Sequence, residues 1–127
     1  MEIDMAKKGS KSYYIKKVKE AFSLYVRNRS GNVCEARELG HCGGRLHCSH
    51  IKSTKAYPNL RFHPLNALAL CAVHHLYWWH REPFEAVRWV QKKFPDRIKE
   101  LGRIKNEMFH PTIDDLKDLL RLFEENA

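Results

Sequence analysis

The spacing of apolar residues along this chain changes three times, and each change marks an element. Ile15, Val18, Phe22, Tyr25 and Val26 recur at three- and four-residue intervals after Ser12 and before Gly31, which predicts an amphipathic helix over 12–31 with Ser12 as its N-cap. From Gly31 to Trp79 that period is lost, and short segments lie between Gly43, Gly44, Pro58 and Pro64. Residues 45–51 are long enough for one strand, and 60–63 or 67–70 for a second. Helical spacing resumes at Ala72. Phe84, Val87, Trp89, Val90 and Phe94 then predict a helix entered through Pro83 and ended before Pro95. Another helical run covers 96–108. In the last, Thr112 and Asp115 form a capping-box pattern ahead of a Leu116, Leu119, Leu120 and Phe123 stripe.

The expectation is an α+β fold in a single domain over 12–127. It comprises an N-terminal helix (12–31), a core of two strands and a helix (32–82) and a helical extension (83–127), preceded by a flexible basic tail (1–11). At 127 residues the chain suits one domain with a modest core, which a metal staple would help.

Charge is uneven. Residues 1–31 carry eight Lys or Arg against three acids, 32–81 six against two, and 82–127 nine against ten, so the net +8 belongs to the first two thirds. A patch of that sign suits a polyanion, whose condensed counterions are released when Lys and Arg replace them, although ordinary solubility gives the same composition. No apolar run reaches membrane-spanning length and MEIDMAKKGSKS lacks the apolar stretch of a secretory signal, so a cytoplasmic location is expected. In a reducing compartment, four cysteines among histidines point to metal rather than to disulfides.

Cys34-x7-Cys42 and Cys71-x2-His74 provide two ligand pairs, each short enough to grip one ion, separated by the segment expected to form the strands. Thiolates and imidazole together suit Zn²⁺. Four protein ligands leave no open coordination position, so such an ion is structural and its binding free energy serves folding. Cys48 competes with His74 as fourth ligand. His74 is preferred, because it sits with Cys71 near the start of one helix whereas Cys48 lies mid-strand.

The stretch CSHIKSTKAYPNLRFHPLNALALCAVHH resembles the HNH endonucleases of the ββα-metal (His-Me finger) fold, especially small nucleases of phages and prophages. The resemblance covers roughly residues 34–80. It rests on Ser49-His50-Ile51, on Asn66-Ala67-Leu68-Ala69-Leu70-Cys71 and on Cys71-x2-His74-His75, with His74 where the family usually has a second cysteine. It implies a ββα-metal core and a metal-dependent DNA endonuclease leaving 5′-phosphate and 3′-hydroxyl ends. The family's general base falls on His50, its bracing asparagine on Asn66 and its catalytic metal ligand on His75, with Mg²⁺ or Mn²⁺ as the working ion. DNA is the implied partner, together with phage or host recombination or DNA-processing proteins.

The physical reasons stand beside the resemblance. Phosphodiester hydrolysis needs a base for the attacking water, and imidazole titrates near neutrality. Its ring must be held in one orientation, which Asn66 can enforce directly or by fixing a loop. Ser49 departs from the family, which often has Asp or His there as a second metal ligand. His47, on Ser49's strand face, and His80 are the further candidates, although five residues place His80 about 140° around an α-helix from His75.

Lys52, Lys55, Arg61 and Arg81 are the expected phosphate contacts, and Lys16, Lys17, Lys19, Arg27 and Arg29 of the first helix are either DNA contacts or a solvated face. Tyr77, Trp78 and Trp79 suit base stacking, or core packing against the C-terminal helices. The rival reading from another class is a zinc-stapled nucleic-acid-binding protein without cleavage activity.

Overall fold

The computed structural model describes residues 7–127. It is a mixed α+β arrangement of five helices and a two-stranded antiparallel sheet, in the order α1 (Lys11–Arg29), β1 (Leu46–His50), β2 (Ala67–Cys71), α2 (Ala72–His74), α3 (Pro83–Lys93), α4 (Pro95–Ile104) and α5 (Ile113–Glu125). A π-helical turn, His75–Trp79, continues α2. Of the basic tail expected over 1–11, residues 1–6 lie outside the described residues. Lys11 already belongs to α1.

The apolar stripe of α1 does what its spacing predicts. Val18, Phe22 and Val26 are buried in one cluster with Phe62, Ala67, Ala69, Leu116 and Phe123, so α1 is clamped between the sheet and α5. Its N-cap is Ser10, two residues earlier than expected, whose hydroxyl accepts from the Tyr13 amide. The helix stops at Arg29, and Gly31 and Asn32 turn the chain with positive φ. In α5 the capping box forms as expected, the Thr112 hydroxyl accepting from the Asp115 amide and the Asp115 carboxylate from the Thr112 amide.

Of the two candidates for the second strand, 67–70 is the one that pairs, with Leu46 opposite Cys71 and His50 opposite Ala67. Residues 60–63 instead lie in and just after a 3₁₀ turn at Pro58–Leu60, which proline favours and where Leu60 packs on Leu101 and Ile104. Every residue of β2 is buried. Its second edge is covered by the chain at Glu35, whose amide donates to the Ala69 carbonyl and whose carboxylate accepts from the Ala69 amide. The helix expected over 96–108 is α4, which begins at Pro95 and ends at Ile104. Trp78 and Trp79 pack with Trp89, Val90 and Leu70, the core use of these rings, while Tyr77 is exposed. No helix among the described residues is long and apolar enough to cross a membrane.

Candidate functional site

Two sites meet at the junction of β2 and α2. In the first, Cys34, Cys42, Cys71 and His74 bring their ligand atoms within 4.8 Å of one another. His74 Nδ1 lies 3.4, 3.6 and 3.2 Å from the sulfurs of Cys34, Cys42 and Cys71. A tetrahedral zinc ion with ordinary Zn–S and Zn–N bonds would separate such atoms by about 3.5 Å, so the donor set can hold a metal ion such as zinc. Cys48 is not in the group; it sits on β1 opposite Ala69 and packs against the α1 cluster.

Local geometry explains the convergence. Cys71 is the N-cap of α2 and its sulfur receives the His74 amide at 3.4 Å. Cys42 arrives over Gly43 and Gly44. Gly44 has φ +80°, and a Cβ there would lie 2.6 Å from the Ala72 side chain, so only glycine allows this approach. Burial and the neighbouring thiols push Cys42 up to about 11 and also raise Cys34. Burial opposes ionisation of Cys71 as well, but hydrogen bonds from the His74 and Gly43 backbone, and from the side chains of Cys34 and His74, bring it down to about 6. One thiolate thus forms readily, and a cation would be required to ionise the crowded others.

The second site is an open cleft of about 1130 Å³ between α1 and β1. His47, His50 and His75 all line it. His50 stacks on Phe22 of α1 with ring centroids 6.0 Å apart, and its Nε2 lies 3.0 Å from the Arg61 carbonyl oxygen. A carbonyl only accepts, so Nε2 carries the proton and Nδ1 keeps a lone pair. Burial lowers the proton affinity of His50; the Arg61 carbonyl opposes this, while the Lys19 and Arg61 charges add to it.

The Asn66 side chain makes no hydrogen bond to His50. It is fully buried and ties the loop together: Oδ1 accepts from the Lys52 amide at 2.7 Å, and Nδ2 donates to the carbonyls of Lys52 and Leu60 at 3.0 and 3.2 Å. Of the two ways of bracing considered from sequence, the loop-fixing one is what these contacts provide. The carbonyl that meets the imidazole belongs to Arg61.

His75 sits between two other imidazoles. Its Nδ1 is 2.9 Å from His47 Nδ1 and its Nε2 is 3.0 Å from His80 Nε2. The second contact brings the candidate His80 to His75 despite the roughly 140° that α-helical geometry would set between them: the His80 amide bonds to the His75 carbonyl, five residues back, and the wider π turn carries residue i+5 back over residue i. Burial, then the charges of His80, His47 and His50, depress His75 to about 4, so the ring is neutral at neutral pH and could serve as a ligand. Each ring nitrogen has one lone pair, so a single ion at His75 takes either His47 or His80 with it, not both. Ser49 is fully buried, is absent from the cleft lining, and its hydroxyl has no partner among the described residues.

The cleft carries Lys16, Lys19, Arg27, Arg45 and Arg61, and no Asp or Glu lines it. Of the expected phosphate contacts only Arg61 is there. Lys52 borders a smaller apolar groove with Trp79 and Val87, its ammonium 5.2 Å above the Tyr57 ring, and Lys55 and Arg81 are exposed elsewhere. Arg45 has no role expected from sequence beyond being the first residue of a strand over 45–51, and it lies just ahead of β1.

Comparisons with protein-family models, with curated proteins and with solved structures find no match for this chain.

Two consequences can be measured. Cys34→Ala and Cys71→Ala should each lower bound zinc well below one equivalent and reduce the melting temperature, as chelation should, while Cys48→Ala keeps the zinc; metal analysis and thermal melts check this. Asn66→Ala strands the Lys52 and Leu60 backbone groups and should cost about 3 kcal/mol in urea unfolding.

Proposed function

We propose that the chain is a metal-dependent DNA endonuclease of the HNH type, in which His50 is the general base and His75 holds the working ion. The observation that carries the reading is the shared cleft: an oriented imidazole with a free Nδ1 and a second imidazole with partners faces the same cation-lined space. His50 Nδ1 takes a proton from the attacking water, whose oxygen bonds to phosphorus as the bond to the 3′ oxygen breaks, leaving a 5′-phosphate. The Arg61 carbonyl keeps the ring in the right tautomer throughout. Asn66 acts as a positioning residue, by holding the loop that ends in Arg61.

A divalent ion held by His75 with His80 or His47 would offset charge on the scissile phosphate and on the departing oxygen. The available donors are imidazoles, with no carboxylate in the cleft, and imidazole suits first-row transition ions better than Mg²⁺. Of the two expected ions this favours Mn²⁺. The rival reading, a zinc-stapled nucleic-acid-binding protein without cleavage, draws on the same absence of a carboxylate and on the burial of Ser49.

Supercoiled plasmid separates the two. Nicking in Mn²⁺ should fall about 10²–10⁴-fold in His50→Ala. DNA retardation without nicking by the unmodified chain favours the binding protein instead. Because His50 is held below the 6.5 of a free imidazole, its base form fills at lower pH than usual. The rate at low DNA concentration, which reports the empty cleft, should therefore be level through neutrality and be lost as pH falls through that depressed value, which a pH–rate profile of kcat/KM checks.

A further inference from the structure

We propose that one strand of the nucleic acid runs lengthwise along α1, its phosphates held by Lys19 and Arg27 of the helix and by Arg45 and Arg61 of the facing wall. This rests on the nucleic-acid reading above and goes beyond it by naming the track.

The lining of the cleft draws this path. Ser12, Lys16, Lys19, Ser23 and Arg27 follow one another at four, three, four and four residues, so they form one stripe on one face of α1. From Ser12 to Arg27 the stripe is about 22 Å long at 1.5 Å per residue. Glu20, the acid of α1, does not line the cleft, and the buried face with Val18 and Val26 is committed to the core. The strand is thus offered cations and hydroxyls along its whole course, Thr54 adding one from the opposite wall, and no carboxylate.

The track also leads to the chemistry. His50 stacks on Phe22, midway along the stripe, and the charges of Lys19 and Arg61 act on its ring. A phosphate bridging those two cations lies beside the base. The phenyl rings of the cleft, Phe22 and Phe62, are buried and give bases no surface on which to stack. Contacts of this kind follow the backbone without reading sequence.

The test measures binding, not cleavage. The zinc-loaded chain is titrated into labelled duplex DNA of two unrelated sequences without added divalent ion, and affinity is followed from 50 to 200 mM salt. Lys19→Gln/Arg27→Gln should make the slope of log K against log salt shallower by about 1.8, equally for both sequences, and Arg45→Gln by about 0.9. Lys55→Gln/Arg81→Gln, exposed outside the cleft, should leave it unchanged; zinc content and circular dichroism establish that every variant is folded. An unaltered slope in the α1 variant, or loss confined to the Lys55/Arg81 variant, overturns the track while leaving DNA binding intact. Failure of the unmodified chain to bind DNA at 50 mM salt overturns both.

Discussion

The constraint on which the rest depends is the crowding of three thiols and one imidazole at the β2–α2 junction. The chain between α1 and β1 has little regular structure of its own beyond one 3₁₀ turn, and it is held by the Glu35–Ala69 pairing and by Cys34 and Cys42 reaching Cys71 and His74. Without a cation these groups oppose one another, since ionising one thiol makes the next harder to ionise. With one, repulsion becomes coordination, and an irregular segment is tied to the most buried strand of the molecule. The consequence reaches the cleft directly, because His74 and His75 are adjacent. The turn that sends one imidazole into the cluster sends the next toward His47, so whatever fixes His74 also aims His75.

The sheet supplies the other half of the geometry. With two strands and β2 covered on its far side at Glu35, β1 is left as an edge, and side chains on both of its faces can reach the same open space. His47 and His50, three residues apart and therefore on opposite faces, do so. The ring of His50 is confined by Phe22 on one side and by the Arg61 carbonyl at its edge, and the Arg61 loop is in turn confined by Asn66. Arg29 and Arg97 both donate to the Ala67 carbonyl, at the end of β2 where this loop returns to the sheet.

Much of this was legible in the sequence because it is periodic or short-range. The α1 stripe, the α5 capping box, the proline-bounded α3 and the Cys-x2-His pair each depend on neighbours a few residues away. What was not legible depends on departures from the expected period or on contacts across the fold. His80 is a candidate partner of His75 that α-helical geometry would place about 140° away, and a single π turn, which no residue between His75 and His80 announces, brings it back beside His75. Which cations line the cleft was not legible for the related reason that loop lysines near a candidate base in sequence need not face it. Lys52 turns to Tyr57, while Lys19 and Arg27, more than twenty residues away from His50, line its cleft. The role of Asn66 was open between touching the base and fixing its loop, and only the positions of Lys52 and Leu60 distinguish the two.

The cation lining also bears on the base. Burial, with the charges of Lys19 and Arg61 adding to it, disfavours the protonated form of His50, so before substrate binds the ring is neutral and able to accept a proton, but is a weaker base for it. A phosphate seated between those cations would cancel much of their field at the ring. On the proposed reading, proton affinity then rises at the moment when a water must be deprotonated, and the imidazolium that forms lies beside an anion rather than beside two like charges. The same residues would thus add to the effect of burial in the empty cleft and strengthen the base in the filled one. A cleft with carboxylates in place of these cations would do the reverse, protonating the ring before the substrate arrived and repelling the phosphate as well.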